Sequence, residues 1–224
     1  MSGNIIHELA SGLPTDVPVS SGIPAVQSRA QNEIDRWGTM SESSEDARPI
    51  LSEYWTTVGL GPGDWTPTGT PWSAAFVSHL MKPYGLPPEA AHWKYSKAVV
   101  DGLPGWTAYA ISGPVPVAPG DIVVRPRGSS TSPADEGYYF SHGDVIYAAS
   151  DGKVSWIGGN ISDRLKTGDY PVDADGLTDF GGDYVLLLRP PSAGLVGAAK
   201  KNLIPILAIG AALGLLFVLR RQIK

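Results

Sequence analysis

Residues 71–81 read PWSAAFVSHLM, and this stretch decides how the middle of the chain is interpreted. The turn-rich segment GLGPGDWTPTG, residues 59–69, comes just before it. Glycine and proline interrupt regular structure, whereas alanine, leucine and methionine favour helices. We therefore predict a helix over residues 72–81, with Ser73 in its first turn.

Ser73 lies where a hydrolytic nucleophile works best. At the start of a helix, unpaired backbone N–H groups and the positive end of the helix dipole stabilise a developing anion. Serine is also an ordinary N-cap residue at such a position. The position of Ser73 therefore leaves both a catalytic and a purely structural role open.

A serine nucleophile needs a base, and four histidines are available: His7, His79, His92 and His142. His142 opens the segment SHGDVIYAAS, which has the composition of a strand. Asp144 lies two residues further on and shares its face of that strand, so it could orient the imidazole. Asn160, in the turn that follows the next predicted strand, could do the same.

Helical patterns fill the first half of the chain and strand patterns the second. The predicted helices cover residues 25–37, 46–58, 72–81 and 89–100. The predicted strands cover residues 108–111, 121–125, 144–148, 153–157 and 184–188. Helices first and strands later are typical of an α+β domain with a mostly antiparallel sheet.

The composition divides the chain into four parts. Residues 1–23 are rich in serine, glycine and proline and lack a signal-peptide pattern, so we predict a flexible arm. Residues 24–190 form the predicted α+β domain. Residues 191–199 are interpreted as a linker, and residues 200–224 as a membrane segment.

The membrane segment is predicted from 17 uncharged residues, 203–219, with basic residues on both sides. Such a run is at the short end of the lengths that span a bilayer, and a buried core helix is the alternative. The prediction is one C-terminal transmembrane helix, in a bacterial envelope or a viral membrane, with the lipid bilayer as partner. Its orientation is open, because basic residues flank both ends. Gly210 and Gly214 form a small-xxx-small pair that could allow two helices to associate.

Charge and cysteine content exclude several kinds of function. Before residue 200 there are 22 acidic and 12 basic residues, a net charge of −10, which argues against nucleic acid as a partner. The chain has no cysteine, so it has neither disulfides nor a thiol nucleophile. No metal-binding motif is present in the sequence, and we expect neither a catalytic metal nor a cofactor.

Five short motifs, taken together, resemble those of a known superfamily. PWSAAFVSHLM resembles the PWCAAFVSW-type nucleophile motif of CHAP-like amidases and endopeptidases, which are papain-like cell-wall hydrolases, with Ser73 in place of the cysteine. PGDIVV, SHGDVIY, WIGGN and YVLLLRP follow in the order of the strands of that fold. The resemblance covers residues 33–190 and implies a papain-like, CHAP-type domain.

A closer resemblance is to an uncharacterised bacterial family that itself has PWSAAF, followed by an alanine-histidine-x-x-tyrosine motif. The latter motif is AHWKY here, residues 91–95. The resemblance implies Ser73 as nucleophile, His142 as general base, and Asn160 or Asp144 as the residue that orients the base. The candidate substrate-binding residues are Trp72, His92, Trp93 and Tyr95.

The function implied by the resemblance is that of a membrane-anchored peptidoglycan hydrolase, an amidase or endopeptidase, with peptidoglycan as partner. Serine must lose its proton during attack, whereas cysteine is partly ionised near neutral pH. Two alternatives therefore stay open. One is an inactive module that binds the cell wall, and the other is a structural minor membrane protein of a membrane-containing virus particle.

Overall fold

The computed structural model describes residues 5–127, 141–150 and 152–191. The helices in these ranges are α1 (Ile5–Ala10), α2 (Ala25–Trp37), α3 (Ala47–Thr57), α4 (Ser73–Met81) and α5 (His92–Val100), and a short 3-10 helix covers Lys82–Tyr84. The strands are β1 (Thr107–Ala110), β2 (Ile122–Pro126), β3 (Ser141–Ser150), β4 (Lys153–Gly158), β5 (Lys166–Pro171) and β6 (Leu186–Arg189).

The six strands form one sheet in the order β1-β6-β2-β3-β4-β5, and every pairing is antiparallel. Alternate residues of a strand face opposite sides of a sheet. Accordingly, Ile122 and Val124 of β2 pack in the large core with the helices, whereas Val123 packs in a smaller apolar cluster. The inner strands are therefore covered on both faces.

Helix α4 is the most deeply buried helix, with eight of its nine residues inside the protein. Small residues such as Ala74 and Ala75 allow the surrounding elements to approach it closely. Trp72, just before the helix, stacks on Trp37 with ring centroids 4.7 Å apart and donates its indole N–H to Glu42 over 2.8 Å. The start of α4, and with it Ser73, is thus held in a fixed place.

From residue 5 onward, the arm that composition predicts as flexible is packed against the domain. Ile6 in α1 is fully buried, and the backbone N–H of Ala110 donates to the carbonyl of Pro14 over 2.9 Å. The guanidinium of Arg189 forms a buried pair with Asp121, at 2.7 and 2.9 Å, and also donates to the carbonyl of Pro18. These long-range contacts outweigh the local preference of serine, glycine and proline for loops.

The fold class predicted from the sequence, a papain-like domain with one membrane helix, is corrected by the structure. The described residues form an α+β domain with a fully antiparallel six-stranded sheet, and none of their helices is long and apolar enough to cross a bilayer. The segment predicted to span the membrane, residues 200–224, lies outside the described residues, as do Gly210 and Gly214 and the linker beyond residue 191.

Candidate active site

Ser73, the first residue of α4, forms the centre of the site. Its Oγ lies 2.6 Å from Nε2 of His92, the first residue of α5. Both residues are only 4% exposed, so the contact is shielded from bulk water. The starts of two helices therefore bring a hydroxyl and an imidazole together inside the protein.

The other ring nitrogen of His92 is held by Tyr95. The two residues are three positions apart on α5, a spacing that places side chains on the same helical face. The Tyr95 hydroxyl forms a short hydrogen bond with Nδ1 of His92, and Tyr95 is fully buried. Ser73, His92 and Tyr95 thus form a continuous hydrogen-bonded row with a fixed imidazole in the middle.

Backbone donors lie beside the Ser73 hydroxyl. The first helical hydrogen bond of α4 runs from the N–H of Phe76 to the carbonyl of Trp72, at 2.9 Å. The N–H groups of Ser73, Ala74 and the next residue precede that bond and have no carbonyl partner within the helix. They are placed to stabilise negative charge near the Ser73 side chain.

A small cavity opens on this row. It is lined by Pro71, Ser73, Ala74, Ala90, Ala91, His92, Arg127 and Ser141. Most of these side chains are small or apolar, and Arg127 is the charged one. Because Ser73 and His92 both line the cavity, a small group that entered it would contact the hydroxyl–imidazole pair.

His142 belongs to a second group of hydrogen bonds beside this row. Its Nδ1 lies 3.0 Å from Nη2 of Arg127, and its Nε2 lies 3.0 Å from Oδ1 of Asp144. A guanidinium only donates hydrogen bonds, so Nδ1 of His142 is the acceptor and its proton is on Nε2. Both nitrogens of His142 are therefore engaged away from Ser73.

Asp144 is the buried anion of this second group, at 1% exposure. Besides the His142 ring, it accepts a short hydrogen bond from the hydroxyl of Tyr184. Burial and the charge of Asp144 raise the pKa of Tyr184 far above its ordinary value, so the phenol stays protonated as a donor. A Cβ at Gly158 would lie 1.9 Å from Oδ1 of Asp144, so only glycine leaves room for this carboxylate.

The two groups are close enough to influence each other electrostatically. The rings of His92 and His142 are 5.7 Å apart between centroids. Burial lowers the pKa of His92 well below its ordinary value, and the neighbouring His142 and Arg127 lower it further. At neutral pH, His92 is therefore an uncharged imidazole that can accept a proton.

Other residues predicted from the sequence lie elsewhere. Asn160 follows β4 with φ 56° and is half-buried, and the hydrogen bonds of His142 within the described residues go to other groups. Trp72 is part of the core rather than of a binding surface. Trp93 is half-buried against the core, and its indole N–H has no partner in the described part of the chain.

The structure therefore places His92, and not His142, next to Ser73. The signal in the sequence was the three-residue spacing of His92 and Tyr95 on one predicted helix. The sequence does not indicate Arg127 or Tyr184 as site residues. Arg127 belongs to no recognisable motif, and the motif YVLLLRP, which begins with Tyr184, gives no sign of the contact with Asp144. Across residues 5–127, 141–150 and 152–191, no group of three or more histidine, aspartate or glutamate side chains could hold a metal ion.

Comparison with protein families gives one relevant match. Residues 28–190 match the family described as "Uncharacterized protein conserved in bacteria (DUF2272)". The chain belongs to this family. The DUF2272 region includes every residue of both hydrogen-bonded groups described above. No curated protein and no solved structure matches the chain.

Gly143, in β3 of the DUF2272 region, provides a test of how tightly the site is packed. A Cβ at this position would lie 2.6 Å from the Tyr95 hydroxyl and 2.8 Å from Nδ1 of His92. We expect Gly143→Ala to lower the free energy of unfolding by about 1–3 kcal/mol, because a well-packed interior does not absorb an added methyl group. Chemical denaturation measures this change.

Gly113→Ala is the matched control, since no atom lies within 4 Å of a Cβ built there and its φ is not in the left-handed region. Its free energy of unfolding should stay within about 0.5 kcal/mol of the original. Equal stability of the two variants would contradict the close contact of Gly143 with the His92–Tyr95 pair.

Proposed function

We propose that the protein is a serine hydrolase that cuts an amide or peptide bond in peptidoglycan, with Ser73 as nucleophile and His92 as general base. The observation that carries this proposal is the 2.6 Å contact between Ser73 Oγ and His92 Nε2. A nucleophile and a base at this distance, with the base oriented by a third group, are the usual arrangement of such enzymes. Here the third group is Tyr95.

In the proposed reaction, Ser73 Oγ attacks the substrate carbonyl carbon while Nε2 of His92 takes the hydroxyl proton. For this step the ring proton of the neutral His92 is on Nδ1, which donates a hydrogen bond to the hydroxyl oxygen of Tyr95 and keeps its proton. The oxyanion of the tetrahedral intermediate is stabilised by the N–H groups of Ser73 and Ala74. His92 passes the proton to the leaving amine. In the second half of the reaction, a water molecule attacks the acyl carbonyl while His92 takes its proton, and His92 returns that proton to Ser73 Oγ as the acyl–oxygen bond breaks.

The electrostatics of the site suit serine better than cysteine. A cysteine site can work through a preformed thiolate and imidazolium, which requires a charged histidine. Burial, His142 and Arg127 lower the pKa of His92 and oppose that charge. A neutral imidazole is what general-base activation of a serine hydroxyl needs.

His142 as the base is the less favourable assignment. To reach Ser73, its ring would have to leave both Arg127 and Asp144, which hold it at 3.0 Å each. Removing a partner from a buried hydrogen-bonded charge is costly. We therefore assign His142 and Asp144 to positioning Arg127 and shaping the electrostatics around His92.

The substrate class rests on the resemblance of the PWSAAF segment and the following strand motifs to cell-wall hydrolases. Peptidoglycan contains both amide and peptide bonds, and either suits acyl transfer to Ser73. The small cavity and its mostly apolar lining fit the close approach of one backbone carbonyl.

A binding module is the second candidate, and the hydrogen bond to Tyr95 is the observation that favours it. If the Tyr95 hydroxyl donates to Nδ1 of His92, the ring proton sits on Nε2 and is donated to Ser73. The serine would then be a hydrogen-bond acceptor and would not be activated. Such a site would hold a ligand without cutting it.

Incubation of the full chain with purified peptidoglycan tests the proposal. Release of new amino groups into solution is the result expected of the hydrolase. Sedimentation of the protein with peptidoglycan, without release of amino groups, would support the binding module and overturn the hydrolase. A protein that neither releases amino groups nor sediments would overturn both.

A further inference from the structure

Arg127 directly follows β2 and lines the same cavity as Ser73 and His92. Its Nη2 donates to Nδ1 of His142 over 3.0 Å, and His142 is in turn held by Asp144. A planar guanidinium has five N–H donors in a fork that matches both oxygens of a carboxylate. The hydrogen bond to His142 uses one of these N–H donors and holds the guanidinium of Arg127 in one orientation.

The charges around the cavity are unbalanced. Arg125 lies directly opposite His142 in the β2–β3 pairing, and its Nε is buried without a hydrogen-bond partner among the described residues. Arg125 and Asp144 both lie close enough to Arg127 to act on it electrostatically, and Arg125 packs over the ring of Tyr184 at 5.6 Å. Asp144 already accepts hydrogen bonds from His142 and Tyr184. Among the described residues, two guanidinium groups thus lie near one engaged carboxylate, although the chain as a whole carries a net charge of −5.

Partial burial makes this excess of positive charge unfavourable. Desolvation and the neighbouring Arg125 lower the pKa of Arg127. An uncompensated, partly buried cation is stabilised by an anion that brings its own hydrogen-bond acceptors. The lining of the cavity in the described part of the chain supplies no such anion, because its other members are uncharged.

We propose that Arg127 binds a carboxylate of the substrate next to the bond that Ser73 attacks. This inference rests on the proposed function and narrows its substrate class to peptides with a free carboxyl group close to the scissile amide. The two parallel hydrogen bonds of an arginine–carboxylate pair would set both the position and the orientation of the substrate. The carbonyl to be attacked would then be held next to Ser73 at the start of α4.

Such a contact would also strengthen the base. The charge of Arg127 is one of the causes of the lowered pKa of His92. A bound carboxylate would neutralise that charge, so the pKa of His92 would rise toward its ordinary value. His92 would then accept the Ser73 proton more readily when the correct substrate is present.

The test compares two ligands on proteins that cannot cut them. The ligands are soluble fragments from glycosidase-digested peptidoglycan, with their carboxyl groups free or converted to methylamides. In the full-length Ser73→Ala protein, we expect conversion to methylamides to weaken binding about tenfold or more, which corresponds to about 1.4 kcal/mol. In Ser73→Ala combined with Arg127→Gln, the two ligands should bind equally, and with Arg127→Lys part of the difference should return.

The quantity compared is the ratio of one protein's affinities for the free-carboxyl and the methylamide ligand. A general loss of stability lowers both affinities and leaves this ratio unaltered. A ratio that stays the same after Arg127→Gln would overturn the inference, and so would the absence of binding to either ligand. A ratio that depends on Arg127 in a protein whose parent releases no amino groups would support the carboxylate site and reject the hydrolase. If the protein released amino groups but showed no preference for ligands with free carboxyl groups, the hydrolase would be supported and the carboxylate site at Arg127 would be rejected.

Discussion

Replacing Ser73 by alanine should lower the rate of amino-group release from peptidoglycan by on the order of 10⁴-fold or more, a loss typical of removing a nucleophile. The alanine has no oxygen to form the acyl intermediate, and the remaining rate would come from binding and the backbone donors of α4 alone. The same variant should no longer react with a fluorophosphonate, whereas the original protein should carry the label on Ser73. Mass spectrometry of the labelled peptide identifies the modified residue.

Ser78→Ala is the matched control for this prediction. Ser78 lies on the same helix, is fully buried, and donates from its hydroxyl to the carbonyl of Glu89 over 2.9 Å. The hydroxyl also accepts from the N–H of Glu89 over 3.0 Å, so its loss should cost about 1–3 kcal/mol of stability without changing the labelling of Ser73. If Ser73→Ala and Ser78→Ala released amino groups at equal rates, Ser73 would not be the nucleophile.

Replacing His92 by glutamine should lower the rate of the same reaction by about 10²–10⁴-fold, the usual contribution of a general base. Glutamine fills a similar space and can still hydrogen-bond to Ser73, but it cannot take up the proton. The pH dependence gives a second measurement. Activity requires neutral His92, so it is lost as the pH falls through the pKa of His92.

Because burial lowers that pKa, the acid limb of the rate profile should lie below the ordinary histidine value of about 6.5, and the limb should vanish in His92→Gln. His142→Gln is the informative comparison. It removes the imidazole that lies between Arg127 and Asp144 but leaves the Ser73–His92 contact, so its effect on the maximal rate should be smaller than that of His92→Gln. The opposite order of effects would assign the base to His142, as the sequence motifs suggest.

Much of the secondary structure can be predicted from the sequence, because apolar periodicity and turn residues are local signals. The helix that begins at Ser73 is an example. For β3, the pattern predicts only the middle part, residues 144–148 of Ser141–Ser150. Strand β5, Lys166–Pro171, was not predicted because its sequence KTGDYP is polar. It lies at the edge of the sheet, where one side faces solvent and polar residues prevent further strand pairing.

The site was harder to predict, because the pairing of Ser73 with a histidine depends on how α4, α5 and β3 pack. Local sequence placed Ser73 at a helix start and His142 in a strand next to Asp144. It contained no information on which of His92 and His142 reaches the serine. Only the packing of α5 against β3, where Gly143 leaves room for the His92–Tyr95 pair, decides the matter.

The hydrogen bonds of Arg189 to Asp121 and to the carbonyl of Pro18 connect the segment before α2 to the sheet. The family match starts at residue 28, yet the guanidinium of Arg189 in β6 donates a hydrogen bond to the carbonyl of Pro18, which lies before the match. A chain shortened to the matched residues would leave that donor without its acceptor and would uncover apolar side chains such as Val17 and Ile23. The contacts that hold the domain together therefore begin before the first residue of the family match.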